Sequence, residues 1–384
     1  MMDFNQLAKQ FKTTELSGRY ICLDHISPLL LNLKIGSVSE IGFSVLGLPI
    51  HKVIFGIGKV KILMWSQMHG NESTTTKAVF DFFNFLESDH KFAQHLKANC
   101  TFCVIPMLNP DGAVAYTREN ANGIDLNRDA QNLSQPESLI LRNTYLEFTP
   151  DYCYNLHDQR SIYGAGNSGK SACMSFLAPA YNDNRDFNIS RSKAIQVICD
   201  INSELQKIIP GNVGRFDDGF NLNCVGDTFQ NLGTPTILFE AGHFQKDYNR
   251  DYVRELVFIS LVKGVESCCE NDVVPNNIID YLAIPQNKVN FYDIIYNNVK
   301  IIVNGMEKRS TFAVQFSEVL IDAKIEFVGI LIDISTLNNF FAHLQIDAEN
   351  NLYESNLLHY PIFNEIAHFS LENRLEFNKG IKIK

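Results

Sequence analysis

The sequence predicts an α/β protein in which a sheet is flanked by helices, with a small, mostly β domain at the C-terminal end. From about residue 60 to 270, short apolar runs alternate with longer segments whose apolar residues recur every three or four positions. This alternation is typical of a sheet covered by helices on its faces. After about residue 280, strand patterns follow one another without helical segments between them.

The individual elements can be placed in chain order. Five apolar runs predict buried strands: KVKILMW (59–65), TFCVIPM (101–107), YCYNLH (152–157), ACMSFLA (172–178) and TPTILFE (234–240). Four longer segments predict helices: 73–88, 136–148, 189–209 and 251–269. Ser134 and Glu137 have the spacing of a capping box at the start of the second helix. Asn-Pro-Asp-Gly at 109–112 predicts a turn.

The C-terminal region predicts a separate domain. Four successive segments look like strands: 290–305, 310–316, 326–334 and 342–348. A chain of 384 residues exceeds the usual size of one domain. We therefore expect a catalytic domain over 1–275, including an N-terminal extension, and a β-rich domain over 280–384.

Composition excludes several classes of function. The net charge of −10 argues against nucleic acid and against anionic membranes, because both require a basic face. No apolar run approaches the ~18 residues of a membrane-spanning helix. The nine cysteines are odd in number and scattered, and from the polar N-terminus we expect no secretory signal. We expect a cytoplasmic protein with reduced cysteines, and no metal or redox role for the Cys100-x-x-Cys103 pair.

Chemically active side chains follow the predicted strands. His69 and Glu72 come after the first strand, His157 ends the third, and Glu240 ends the fifth. Two histidines and one glutamate are a standard ligand set for a catalytic Zn²⁺ ion that keeps one position open for water. Each residue alone is a common pattern, but the shared position at strand ends favours one metal site.

The loop over 109–129 adds polar groups to this edge of the sheet. Arg118, Asn127 and Arg128 place two guanidinium groups and an amide in one short segment. The planar fork of arginine matches a carboxylate or a carbonyl oxygen. A solvated loop would explain one arginine more easily than the whole set.

These residues carry a resemblance to a known family. His-Gly-Asn-Glu at 69–72, Asn-Pro-Asp-Gly at 109–112, the segment from Arg118 to Arg128, His157 and Glu240 resemble the zinc metallocarboxypeptidases over about 60–245. The segment RENANGIDLNRD (118–129) is similar to bacterial murein-peptide amidases and to cytosolic carboxypeptidases. The resemblance implies a mixed sheet of roughly eight strands between helices.

The resemblance also implies a role for each site residue. His69, Glu72 and His157 would hold one Zn²⁺ ion, Glu240 would be the general base, and Arg118 would stabilise the oxyanion. Asn127 and Arg128 would bind the free carboxylate of the substrate, and Asp125 would orient His69. These expectations agree with zinc chemistry, which needs a proton acceptor that is not itself a ligand.

One segment departs from the family pattern. Peptide-cleaving members carry a mobile tyrosine about twenty residues before the catalytic glutamate, whereas 214–236 contains phenylalanines and no tyrosine. Phe220 is our candidate to cover the substrate in its place, although it cannot donate a hydrogen bond. His243 is expected to be structural or to act behind the ligands.

Three functions remain open from the sequence. The first is a metallocarboxypeptidase that removes a C-terminal residue from a small peptide, with a murein-derived peptide as the most attractive substrate. The second is an N-acyl amino acid amidohydrolase, because succinylglutamate desuccinylases and aspartoacylases share a similar start, a compact core and a β-rich C-terminal domain. The third is a zinc-binding or peptide-binding module that has lost catalysis.

Overall fold

The computed structural model describes residues 3–270, 277–334, 337, 339–356, 358–372 and 374–384. The chain divides into two compact units. The first runs to Gln159 and resumes over Ala172–Asn287, and the second comprises Arg160–Ser171 and Lys288–Lys384. The domain boundary expected between 275 and 280 lies partly outside the described residues.

Ten α-helices are found in the described residues, all in the first unit. They are α1 (Phe4–Gln10), α2 (Leu23–Asn32), α3 (Thr74–Glu87), α4 (Lys91–Asn99), α5 (Pro110–Ala115), α6 (Pro136–Phe148), α7 (Ile189–Ile208), α8 (Val225–Asn231), α9 (Asp251–Glu270) and α10 (Ile278–Ala283). A 3-10 turn covers Leu126–Arg128. No helix of the described chain has the length and apolar character that crossing a membrane requires.

The first unit is built on one mixed sheet of eight strands in the order β1-β2-β4-β3-β5-β9-β7-β8. The four central strands β4, β3, β5 and β9 run parallel, so their carboxyl ends share one edge of the sheet. The strands are β1 (Ser37–Phe43), β2 (Pro49–Gly56), β3 (Val60–Ser66), β4 (Cys100–Ile105), β5 (Tyr152–Asp158), β7 (Met174–Leu177), β8 (Val213–Arg215) and β9 (Thr236–Ala241).

Both faces of this sheet are covered, which explains the nearly continuous apolar runs of its strands. Along β3, Ile62 and Met64 join the larger core under α3, α7 and α9. Leu63 and Trp65 point to the other face and pack with residues of α6 and α8. The strand is therefore fixed from both sides, and the loop that follows it starts from a rigid support.

Two buried cationic side chains of the first unit, on α9 and α3, bind the backbone of the N-terminal segment 13–18. Arg254 of α9 forms a two-pronged ion pair with Asp81 of α3, with Nε–Oδ2 and Nη2–Oδ1 distances of 2.6 and 2.5 Å. The same guanidinium donates to the carbonyls of Leu16 and Thr13. Lys77 of α3 donates to the carbonyl of Gly18 at 2.7 Å. Backbone carbonyls of residues 13–18 thus accept hydrogen bonds from the buried side chains of Arg254 and Lys77.

The second unit consists of sheets and short loops. One four-stranded sheet has the order β13-β12-β11-β14, a second has the order β15-β16-β17-β18, and β10 pairs with β6. Aromatic rings fill its core, with Tyr296 stacked on Phe312 at 4.8 Å. Its strands are β6 (Tyr163–Ala165), β10 (Asn287–Val289), β11 (Phe291–Val303), β12 (Met306–Ile321), β13 (Lys324–Ile334), β14 (Phe341–Asp347), β15 (Tyr353–Glu354), β16 (Phe369–Leu371), β17 (Leu375–Asn378) and β18 (Ile381–Lys382).

The predicted fold class is confirmed, but two local predictions are wrong. Helix α6 begins at Pro136 behind Gln135, and Ser134 does not cap it, because the Ser134 hydroxyl donates to Asp129 instead. The turn predicted at 109–112 is the start of α5, where the Asn109 side chain accepts the Gly112 N–H at 2.9 Å.

Candidate active site

The first pair of site residues stands on a loop with little freedom. β3 ends at Ser66, and Gln67 then adopts a positive φ of 50°. The Gln67 amide donates to the carbonyl of Gly70 at 2.8 Å, which closes the loop. Gly70 cannot carry a side chain, because a Cβ there would lie 1.9 Å from the backbone carbon of Gly112. This packing holds His69 and Glu72 in position before α3 begins.

His69, Glu72 and His157 converge on one point at the carboxyl edge of the sheet. One ligand atom from each lies within 4.8 Å of the other two. His69 Nδ1 is 2.8 Å from Glu72 Oε1, and His157 Nδ1 is 2.9 Å from Glu72 Oε2. The two Nδ1 atoms are 3.1 Å apart. Imidazole and carboxylate donors arranged in this way fit a Zn²⁺ ion.

The second ring nitrogen of His69 is held by Asp125. Its Nε2 lies 3.0 Å from Asp125 Oδ1. A carboxylate in this position fixes the ring orientation and leaves Nδ1 as the free ligand atom, which is the usual arrangement behind a metal-binding histidine. Asp125 also accepts the backbone N–H of Asn127 at 2.8 Å, so the 3-10 turn holds the carboxylate in place.

Arg118 is bound by two carboxylates of the site. Its Nε and Nη2 lie 3.1 and 3.0 Å from Asp125 Oδ2, and its Nη1 donates to Glu72 Oε1 at 3.3 Å. Burial alone would lower the pKa of Arg118, but the two carboxylates outweigh burial and raise it. The guanidinium is therefore a permanent cation with a fixed direction beside the triad.

The triad is strongly coupled in charge. Burial raises the pKa of Glu72, but His69 and His157 outweigh burial and hold the pKa of this carboxyl well below its usual value. Burial lowers the pKa of His157. These shifts favour an anionic Glu72 and a neutral His157, which are the protonation states that metal ligands need.

Glu240 lies beside the triad on the next strand. In the parallel pair β5–β9 it is the direct register partner of His157. Burial, followed by the nearby carboxylates of Glu72 and Asp158, raises the pKa of Glu240 well above its usual value. Its Oε2 is buried and has no hydrogen-bond partner among the described residues. Buried carboxylate oxygens without a partner are uncommon in folded proteins, so this one needs an explanation.

The three residues predicted to bind the substrate have local contacts in the loops that follow β4 and β8. Asn127 accepts the backbone N–H of Val225 at 3.2 Å, so it connects the 3-10 turn to α8. Arg128 is exposed, and its Nη1 donates to the Asn127 carbonyl at 2.9 Å. Phe220 is partly buried in the loop between β8 and α8.

Two further buried residues lie at or just after strand ends. His243 is buried, and its ring packs on Tyr248 with centroids 4.4 Å apart. Asp158 was missed by the sequence analysis, although it directly follows His157. Its backbone N–H donates to Glu72 Oε2 at 3.1 Å, and its carboxylate accepts the Thr74 N–H at the start of α3.

Comparisons with known proteins give matches to carboxypeptidases. The sequence profile of the zinc carboxypeptidase family matches residues 33–163. Carboxypeptidase 2 of Trichophyton rubrum is 27% identical over 100 residues, which is 26% of this chain and 19% of that protein. Cytosolic carboxypeptidase 2 of Xenopus tropicalis is 33% identical over 86 residues, which is 22% of this chain and 9% of that protein. The chain therefore matches less than a fifth of the length of these two relatives.

A solved structure has a similar fold. A metallo-carboxypeptidase from Pseudomonas aeruginosa, in complex with (2-guanidinoethylmercapto)succinic acid, superposes with a TM-score of 0.51 at 17% identity, covering 64% of this chain and 69% of that one. The predicted resemblance to the zinc carboxypeptidases is thus confirmed by the profile match over residues 33–163, and the superposition shows a shared fold.

Proposed function

We propose that this protein is a zinc-dependent metallocarboxypeptidase that hydrolyses the C-terminal amide bond of a small peptide. One observation carries the proposal: three ligand atoms converge within 4.8 Å, and the half-buried Glu240, which is not one of the three residues, is the register partner of His157. A structural metal site needs only the ligands, whereas a hydrolytic site also needs a proton acceptor next to the open position.

His69, Glu72 and His157 would hold the zinc ion. When bound, zinc acts as a Lewis acid that makes water acidic near neutral pH and polarises a carbonyl oxygen. Asp125 keeps the His69 ring in the orientation that presents Nδ1. The Asp158 N–H orients Glu72 in a similar way. It donates to Glu72 Oε2, the oxygen that lies next to His157 Nδ1.

Glu240 would accept the proton of the attacking water and return it to the leaving amine. Its position on the neighbouring strand, in register with His157, supports this role. Burial favours the protonated acid, which suits the return of the proton, while the nearby Arg118 cation favours the anion that must first accept it.

Arg118 would stabilise the negative charge that develops on the carbonyl oxygen. Asp125 binds two of its nitrogens, so the guanidinium does not need to reorganise when the charge appears. Fixed donors of this kind contribute on the order of 10²–10³ in rate. Asn127 and Arg128 would bind the free α-carboxylate, and Phe220 would cover the bound residue.

A murein-derived peptide is the substrate class that we propose within this reaction. The segment RENANGIDLNRD, which contains Arg118, Asp125, Asn127 and Arg128, supports it by its similarity to murein-peptide amidases. An N-acyl amino acid amidohydrolase is the second candidate, favoured by the β-rich second unit. The nine scattered cysteines support a cytoplasmic location.

The test is a mass-spectrometric cleavage assay on zinc-loaded protein with short peptides, murein peptides and N-acyl amino acids. Glu240→Gln should keep zinc and lose about 10²–10⁴ in rate. Glu137→Gln is the matched control, since Glu137 is a fully buried carboxyl that binds Asn120 and the Val45 N–H instead of the triad.

Each outcome of this assay has a definite meaning. Removal of one C-terminal residue by the wild type and by Glu137→Gln, but not by Glu240→Gln, supports the carboxypeptidase and identifies the leaving residue. Deacylation of N-acyl amino acids without removal of a C-terminal residue supports the N-acyl amino acid amidohydrolase instead. A zinc-loaded wild type that cleaves none of the three classes refutes the catalytic reading and leaves the binding module.

A further inference from the structure

A pair of cysteines lies at the edge of the sheet opposite the candidate active site. Cys100 is the first residue of β4, and Cys269 is in the last turn of α9. Their Sγ atoms are 3.0 Å apart, although 169 positions separate them in sequence. Each thiol is the hydrogen-bond partner of the other.

The backbone of Cys100 is held in a fixed place. The carbonyl of Cys100 accepts the N–H of Gly58 at 3.2 Å in the turn between β2 and β3. That turn packs so closely that a Cβ on Gly56 would lie 2.2 Å from the same carbonyl oxygen. Cys100 itself is fully buried. The first thiol therefore has a defined position and no direct access to solvent.

Cys269 provides the accessible partner. It is only partly buried, whereas the preceding Cys268 is buried and its Sγ lies 3.3 Å from the hydroxyl of Tyr154. The hydrogen bond from Cys100 lowers the pKa of Cys269, which increases the fraction of reactive thiolate. An oxidant in solution can therefore reach Cys269, whereas Cys100 is the buried thiol next to it.

We propose that Cys100 and Cys269 are a site of reversible oxidation, forming an intramolecular disulfide when the protein meets a hydroperoxide. An S–S bond is about 2.05 Å long, so the two sulfurs must approach by only about 1 Å. Rotation of the Cys269 side chain at the end of α9 supplies this movement more readily than Cys100, whose backbone is fixed.

One hydroperoxide molecule accepts the two electrons that the two thiols lose. The Cys269 thiolate attacks a peroxide oxygen, the O–O bond breaks, and Cys269 becomes a sulfenic acid while the leaving oxygen takes a proton to form water or an alcohol. The Cys100 sulfur then attacks the Cys269 sulfur, the S–O bond breaks, and the departing hydroxide leaves as water with the Cys100 proton. Two thiols lose two electrons, and a dithiol reductant reverses the change.

The disulfide would raise the stability of the folded protein without changing the rate of the proposed hydrolysis. It joins the amino end of β4 to the end of α9, whereas the candidate catalytic residues stand at the carboxyl ends of the parallel strands. The link closes a loop of 169 positions in the unfolded chain, and such loops give large entropic stabilisation. We expect a melting temperature several degrees higher for the oxidised form, with unchanged cleavage rates.

The test begins with reduced full-length protein treated with hydrogen peroxide. Remaining thiols are alkylated, and peptides are mapped by mass spectrometry without reduction. We expect a linked peptide pair containing Cys100 and Cys269, with the loss of two hydrogen atoms. Cys199→Ser is the matched control, because Cys199 is also half-buried but its thiol donates to the Asn277 carbonyl. This variant should form the link as the wild type does.

Cys269→Ser should form no such link and show no rise in melting temperature on oxidation. If the wild type gives sulfinic or sulfonic acid on Cys269 while Cys100 stays alkylated, the proposal is overturned. The wild-type peptide map decides the question even if Cys269→Ser fails to fold. Because the readout is a covalent bond, the outcome is independent of the proposed peptidase activity.

Discussion

Removal of the Asp125 carboxylate should weaken zinc binding and the positioning of Arg118 together. Asp125 Oδ1 holds His69 Nε2 and the Asn127 N–H, while Oδ2 holds Arg118. Loss of a group that supports a metal-binding histidine typically costs 10–100-fold in metal affinity or activity, or about 1.4–2.8 kcal/mol. We expect zinc affinity of Asp125→Ala to fall by about this factor.

Asp125→Asn separates the two contacts. The remaining carbonyl oxygen can still accept from His69 and Asn127, but the amide then directs its N–H groups at the guanidinium of Arg118, which also only donates. We therefore expect Asp125→Asn to keep most of the zinc affinity and to lose about 10-fold or more in kcat, since Arg118 is the displaced group.

Zinc affinity is measured by competition with a chelating dye, and kcat and KM with the substrate found in the cleavage assay. Asp129→Asn is the matched control, because Asp129 is a buried carboxylate of the same loop that binds Ser134 and Gln135 instead of a ligand. Zinc affinity of Asp125→Ala equal to that of Asp129→Asn would refute the role that we assign to Asp125.

Three other substitutions test separate parts of the structure. Arg118→Lys keeps the charge but loses the fork that grips Asp125, so kcat should fall by about 10²-fold with little change in KM, as measured by steady-state kinetics. Asp81→Asn leaves Arg254 charged and buried without its partner, and should cost about 3–5 kcal/mol of unfolding free energy in urea denaturation. Burial lowers the pKa of Lys77 from 10.5 to about 7 in the folded protein. Between these values the unfolded chain binds the extra proton, so stability rises with pH by up to about 1.4 kcal/mol per unit, and Lys77→Met should remove that slope in denaturation series from pH 7 to 10.

The central strands and helices could be predicted because burial on both faces leaves a strong pattern. The run at 59–65 corresponds to β3 at Val60–Ser66, and the helix predicted over 251–269 is α9 at Asp251–Glu270. Glu240 and His157 were placed at strand ends by the same pattern, and their side-by-side register then follows from parallel pairing of neighbouring strands.

Other features depend on contacts between distant segments, which local patterns do not contain. The strand β1 at Ser37–Phe43 is mostly exposed, so it has no apolar period to reveal it. The Asn-Pro-Asp-Gly segment satisfies the statistics of both a turn and a helix start, and Asp111 resolves the choice by binding Ser44 and the Leu46 N–H. Asp158 has a role only because the chain folds back against the start of α3.

The attachment of the N-terminal segment has a practical consequence for shortened versions of the protein. The family profile begins at residue 33, which invites truncation near that position. Such a truncation would delete the carbonyls of Thr13, Leu16 and Gly18, which accept hydrogen bonds from Arg254 and Lys77. Buried cationic donors that lose their acceptors destabilise a fold. Residues 13–18 lie outside the recognised family region. They should nevertheless be kept in any shortened form of the protein that is meant to fold.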